Sequence, residues 1–298
     1  MIVRRRVTTG AMLFAMRGSI LPSIAGRLLV IALVSSGAVL FTQARPDTLA
    51  HVGVVPFTLI GLALSIFMSF RNNACYDRWW EGRKLWGQLV IEVRSFARQV
   101  ADFEPSERTP LLTGLIAFTY GLAARLREKD EVAAIAPWSS GQDWSVLPNP
   151  TDVVLKEVGR TCAIMVGEGK LSDIRYSVLE ARLSALSGVQ AGCERIKGTP
   201  LPFAYSLLLH RTAHIFCLLL PFALAGALGW WAVLVTLVVS YTFFGLDALG
   251  DELEDPFGLE VNDLPLDAIS RAVERELLSA LGRTDLPPPM MPDKYVLS

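Results

Sequence analysis

His210 and His214 stand in an HxxxH spacing. On a helix that spacing puts both imidazoles on one face, the geometry of two ligands to one metal ion. A membrane di-metal hydroxylase or desaturase needs many more imidazole and carboxylate ligands within reach. The chain has only three histidines, the third being His51. The pair is therefore expected to make interhelical hydrogen bonds, with no metal and no cofactor. Cys75, Cys162, Cys193 and Cys217 are scattered, without a CxxC pair, which argues against a zinc site or a disulfide framework. They are expected to be buried, reduced thiols. No GxxxxGK loop and no nucleophile elbow is present, so nothing in these residues points to an enzyme.

The remaining chemistry is charge and aromaticity in two stretches. Residues 70–89 read FRNNACYDRWWEGRKLWGQL, directly after an uncharged apolar run. Trp79, Trp80 and Trp86 each pair a large apolar ring with one N–H donor, which suits a membrane interface or a packed helix junction. Arg71, Arg78 and Arg83 are expected to hydrogen-bond Asp77, Glu81 or free helix carbonyls. Asn72 and Asn73 either satisfy backbone groups or hydrate a passing ion. The second stretch is acidic and holds Asp247, Asp251, Glu252, Glu254, Asp255, Glu260, Asp263 and Asp267. Its plain role is to form salt bridges with the arginines of the first, which would make a charged collar of Arg71, Asn72, Asn73 and Asp77.

The elements that must position these groups read as all-α. The chain has 298 residues, 52% hydrophobic and only 19% charged, the balance of a membrane protein. A formal net charge of −1 supplies no basic field for nucleic acid. Four apolar runs approach the roughly 20 residues a helix needs to cross a bilayer: Ile24 to Phe41, Val52 to Ser69, Ile215 to Gly229 and Trp230 to Leu246. They form two hairpins. Arg4, Arg5, Arg6 and Arg17 precede the first and Arg27 interrupts its start, Arg71, Arg78, Arg83 and Lys84 follow the second, and Arg195, Lys197 and Arg211 precede the third. The positive-inside rule then puts both termini and the middle of the chain in the cytoplasm.

That middle is helical. Leu85, Leu89, Val93 and Phe96 recur at helical spacing, as do Ile174, Val178, Leu179 and Leu183. The stretch APWSSGQDWSVLPNPTD breaks the pattern before a helix expected to be capped by Thr151 or Asp152. The division is residues 1–70 for the amino-terminal segment and first membrane hairpin, 71–212 for a cytosolic helical region, 213–249 for the second hairpin, and 250–298 for a cytosolic carboxyl-terminal segment. The tail LPPPMMPDKYVLS should lie extended on the body or on a neighbouring subunit.

Two stripes mark the second membrane helix. Gly61, Ser65 and Ser69 recur every four residues and would let another helix approach closely. Leu62, Ile66 and Phe70 recur every four residues on an adjacent face. Periodicity leaves two roles open for the second stripe. It packs in a bundle or against lipid, or several copies line an axial pore and gate it by dewetting.

The stretch FRNNACYDRWWEGRKLWGQL, preceded by PFTLIGLALSIFMS, resembles the signature of the bestrophin family of pentameric ion channels. The likeness extends to CERIKGTPLPFAYSLLLHR at 193–211, LPFAL at 220–224 and ELEDPFGLEVNDLPLDAI at 252–269. It covers most of the chain in the right order. The resemblance implies a homo-pentamer in the bacterial inner membrane, in contact with lipid, passing monovalent ions through a neck of Leu62, Ile66 and Phe70 and a cytosolic aperture at Ile174. In animal bestrophins a run of consecutive acidic residues after a PFG motif clasps calcium. Here Pro256, Phe257 and Gly258 are followed by LEVND, whose Leu259 and Val261 interrupt the run. Calcium needs about six or more oxygen ligands, so calcium gating is not expected.

The family contains anion channels and cation channels. A neck without charge leaves selectivity to the vestibules. The acidic cluster, with Asp251, Glu252, Glu254 and Asp255 at its centre, would concentrate cations if it faced the conduit, so the expectation leans towards sodium. An anion channel of the same architecture and a non-conducting membrane scaffold or sensor are the alternatives, and conductance separates them.

Overall fold

A computed structural model describes residues 1–3, 10, 15–16, 18–48, 53–139 and 147–298. Arg4, Arg5, Arg6, Arg17, His51 and Val52, used above to argue orientation, ligands and a helix start, lie outside the described residues. Helix is the dominant element. Among the described residues the other regular pairings are isolated antiparallel bridges, Ile2 to Val296 and Asp293 to Val296. The helices are α1 Leu21–Ala44, α2 Val55–Gln99, α3 Pro105–Leu126, α4 Glu131–Ile135, α5 Pro150–Gly167, α6 Asp173–Gly198, α7 Phe203–Leu228, α8 Trp231–Glu254 and α9 Leu266–Ala280.

Four of these, α1, α2, α7 and α8, are long and apolar enough to cross a membrane. Each is longer than the apolar run that announced it, because helical hydrogen bonding does not stop where hydrophobicity does. The chain divides into two compact units, with breaks after Trp79, Thr199 and Glu254.

The first unit contains α1, the amino-terminal part of α2, α7 and α8. Its core is formed by Ile24 and Ile31 of α1, Leu64 and Met68 of α2, Leu209, Phe216, Cys217 and Leu220 of α7, and Phe243 and Phe244 of α8. Near the α7–α8 turn the contacts shrink to Ala38, Val39, Ala225 and Ala232, and small side chains let the helices close in. The turn needs Gly229, whose φ of 53° lies in the left-handed region.

The other unit is built on α3, whose residues Leu111 to Leu126 are almost entirely buried. Around it stand α4, α5 and α9. Leu89, Val93 and Phe96 of α2 are buried as their spacing predicts, together with Trp86. On α6 the pattern is different from the expectation. Leu179 and Leu183 are buried, continuing through Leu186, Val189 and Cys193, but Val178 is exposed and Ile174 is 79% exposed. Those two residues belong to another face of the helix.

The α5 cap is also corrected. Asn149 caps the helix by accepting a hydrogen bond from the Asp152 backbone N–H. Pro150 occupies the first helical position, so the cap falls on the residue before it. Thr151 instead donates to Glu131 Oε2 at 2.8 Å. The tail lies on the body, where Ala268 N–H donates to the Ser298 carbonyl and Arg275 donates to that of Pro287.

Candidate functional site

The face of α2 that packs into its own bundle carries Leu64, Met68, Arg71 and Cys75, all buried. Successive residues of a helix turn by about 100°, so these side chains centre on one direction. Leu62, Ile66 and Phe70 fall roughly 170° away from it. Their exposures of 61%, 46% and 61% agree with that geometry. The stripe is therefore not used for packing within the protomer. Asn73 and Asp77 continue it, within about 80° of arc, and both are exposed. Neither side chain has a hydrogen-bond or ion-pair partner among the described residues. Of the small-residue stripe Gly61 meets another helix, with a Cβ position 3.1 Å from the Phe216 ring. Ser65 and Ser69 are exposed and donate back to the carbonyls of Gly61 and Ser65.

Arg71 does not pair with Asp77 or Glu81. Helix neighbours meet at spacings of three and four, and six or ten residues along the helix point elsewhere. Arg71 reaches α8 instead. Its Nη1 donates to Asp247 Oδ1 at 3.2 Å and to the Asp247 carbonyl at 3.3 Å, while Nη2 donates to Asp251 Oδ1 at 2.5 Å and lies 3.6 Å from Glu254 Oε2. Asp247, Asp251 and Glu254 stand at i, i+4 and i+7, on one face of α8. Arg71 and Asp247 are each 1% exposed. Beside them Asn72 Nδ2 donates to the Leu246 carbonyl at 3.0 Å, and Arg78 Nε donates to that of Glu254 at 3.0 Å. The close approach depends on Gly250, because a Cβ there would lie 2.7 Å from Asn72 Oδ1 and 3.0 Å from Arg71 Nη1.

The histidines join this clasp. His210 Nδ1 bonds Asp247 Oδ2 at 2.7 Å, and Arg27 Nη1 of α1 lies 3.6 Å from the same oxygen. Asp247 thus gathers groups from all the other helices of its unit. His214 bonds within its own helix, to the His210 carbonyl at 2.8 Å. That carbonyl only accepts, so His214 Nδ1 carries the proton. Among the described residues no group of three or more His, Cys, Asp or Glu side chains is placed to hold a metal ion.

The rest of the acidic stretch is separate from the clasp. Asp255 pairs with Lys197 at 2.8 Å. Asp263, 2% exposed, accepts the Glu260 backbone N–H at 2.7 Å. Burial, opposed by that hydrogen bond and reinforced by the nearby carboxylates of Asp255 and Glu260, pushes its carboxyl up to about 6. Glu252 is half-buried. Ile174, at the start of α6, is exposed, and the residue after it is clasped. Arg175 donates to both oxygens of Asp102 at 3.0 and 2.7 Å and to the Gln99 carbonyl at 2.7 Å, over the Phe103 ring at 4.7 Å.

Sequence reasoning missed Asp247 as a hub, and missed Gly250 and Arg175 altogether. The signal for Asp247 was present, since an ionisable residue near the end of a membrane helix needs a partner inside the bundle.

Residues 1–279 match the family model described as Bacterial/Fungal Bestrophin protein. A protein of Mesorhizobium japonicum named voltage-dependent anion channel-forming protein is 44% identical over 303 residues, covering 100% of this chain and 97% of the relative. YneE of Escherichia coli strain K12, with the same descriptive name, is 41% identical and covers 99% of each chain. A solved bacterial Bestrophin homolog from Klebsiella pneumoniae superposes with a TM-score of 0.84 at 39% identity, covering 87% of this chain and 99% of that one. With a whole-chain match in sequence and a common helical architecture, this protein belongs to the bestrophin family, a family of membrane ion channels and not of enzymes.

Proposed function

We propose that the protein is a monovalent-ion channel of the bacterial inner membrane, a homo-pentamer with cytoplasmic termini, whose neck is lined by Leu62, Ile66 and Phe70. The observation that carries this reading is the placement of those residues opposite the packing face of α2, exposed and uncharged. Copies of the stripe meeting around an axis would enclose a dry constriction roughly 12 Å long, which ions cross only when it wets. Asn73 and Asp77 then form the first polar turns beyond it, and Ile174 serves as the cytosolic aperture. The chain needs no cofactor for this.

Sodium and similar cations fit the charges on the stripe. Arg71 is buried and engaged by carboxylates, so it offers little positive potential to a conduit, whereas Asp77 is exposed and unpaired. The acidic stretch no longer supplies the argument for cations, because Asp247 and Asp251 are held by Arg71 and Asp255 by Lys197. A second reading, anion conduction through the same neck, is favoured by the name that the relatives carry.

Reversal potential of the purified, reconstituted protein in an asymmetric sodium chloride gradient tests both. A value near the sodium equilibrium potential supports the cation reading, a value near that of chloride supports the anion reading, and absence of current refutes the channel. Alanine at Leu62, Ile66 and Phe70 together should raise open probability, and unchanged gating would refute the neck.

A further inference from the structure

Phe70 and Ile174 share a local arrangement that their sequences do not advertise. Each is a large, exposed apolar side chain, and each is followed at once by an arginine clasped to carboxylates of another element or loop. We infer that Arg71 and Arg175 are positioning residues, which set the azimuth of Phe70 and Ile174 and so the width of the two constrictions. This rests on the reading of those apolar residues as neck and aperture.

The physical link is the helix itself. Neighbouring side chains project about 100° apart and cannot turn independently of the backbone that carries them. Holding the guanidinium of residue i+1 therefore fixes the direction of residue i. For Phe70 the hold is strong. Arg71 is 1% exposed, engages Asp247 and Asp251, and is seated against Gly250 with no room for a Cβ. Tyr205 adds to it by donating to the Phe67 carbonyl at 3.0 Å, one turn before Arg71. For Ile174 the hold is two-pronged but wet, since Arg175 and Asp102 are 43% and 67% exposed. Exposed pairs contribute less and are screened by salt. The neck is thus set rigidly, and the aperture is held by a contact that ionic strength loosens.

The test is a pair of double-mutant cycles read by single-channel recording of the full-length reconstituted protein. Asp251→Ala removes a half-exposed partner of Arg71 and leaves Asp247 in place, so the bundle stays folded. Asp102→Ala does the same for Arg175 at the surface. Asp251→Ala should change open probability about fivefold in the parent and have no further effect in a Phe70→Ala background. Asp102→Ala should change unitary current in the parent and not in Ile174→Ala. Arg175→Lys should behave like Asp102→Ala, because lysine keeps the charge but lacks the fork. Equal effects in the presence and absence of the apolar residue would overturn the proposal while leaving the neck reading intact. Unchanged channels in Phe70→Ala and Ile174→Ala alone would overturn the constriction reading, and the proposal with it. Melting temperature of each variant, expected to match the parent for the Asp102 and Arg175 changes, separates positioning from folding.

Discussion

Replacing Asp247 by alanine removes one carboxylate from a site where two arginines and a histidine converge. At 3.2 Å from Arg71 Nη1 and an effective dielectric constant of about 20, the gross attraction is about 5 kcal/mol. Part is recovered, because Arg71 keeps Asp251 at 2.5 Å and the residue-247 carbonyl at 3.3 Å. More is lost because His210 Nδ1 loses its hydrogen-bond partner and Arg27 loses the carboxylate charge 3.6 Å away. Leaving one member of a buried pair uncompensated typically costs about 3–5 kcal/mol, and the surviving contacts place this variant near the lower end, about 3 kcal/mol. For a chain of 298 residues, with an unfolding entropy of about 2.1 cal/mol/K per residue, that is a fall in melting temperature of roughly 5 °C. Thermal unfolding in detergent, followed by circular dichroism against the parent, reads it directly. Asp251→Ala is the internal control, since that carboxylate is 58% exposed and its loss should cost no more than about 1 kcal/mol. A fall of under 2 °C for Asp247→Ala, or equal falls for the two variants, would refute the claim that Asp247 is the buried hub.

The pH dependence of the turn before α9 follows from Asp263, whose ordinary value of 3.8 is raised to about 6 by burial. The folded form then holds its proton more tightly than the unfolded form. The Asp263 contribution to stability is full below about pH 4, falls as pH rises from about 4 to about 6, and is level above. Asp263→Asn, which keeps an acceptor for the Glu260 N–H, should flatten that slope in urea titrations at stepped pH. Gly114→Ala places a Cβ 2.5 Å from Val158 Cγ2 of α5, so overpacking of about 1–3 kcal/mol should lower the melting temperature. An unchanged midpoint would show that α3 and α5 separate readily. Burial pushes the Cys162 thiol up to about 11 and that of Cys193 up to about 12. Maleimide at pH 7.5 should therefore label neither until denaturant is added, and mass spectrometry of the labelled native protein checks it.

Much of the fold was legible because membrane crossing is a composition problem. A span needs about 20 predominantly apolar residues with few or no charges, and the four runs in this chain declare themselves by length and composition. Their helices begin and end elsewhere, because the backbone keeps its hydrogen bonds through polar residues, as α2 does from Val55 to Gln99. Spacing also disclosed two stripes on α2, Gly61, Ser65 and Ser69 beside Leu62, Ile66 and Phe70, but not the buried set of Leu64, Met68 and Arg71. It could not say which set met the bundle, since Leu and Ile suit lipid, protein and a dewetting pore equally. Spacing was over-read on α6, where Ile174 and Val178 share apolar character with Leu179 and Leu183 but not their face.

What the linear chain determined by itself was therefore membership, helix content and the number of membrane-length segments, all local properties of composition and period. Pairing between the arginine stretch and the acidic stretch was expected from their charges, and only the tertiary structure decided which charge met which. Arg71 is 176 residues from Asp247 and 180 from Asp251, while Asp77 and Glu81 are near in sequence and out of reach in space. A helix turns its neighbours away from one another, and the packing of α2 against α8 at Gly250 brings distant ones together. Partner choice for a buried charge is set by that packing, which no window of sequence contains.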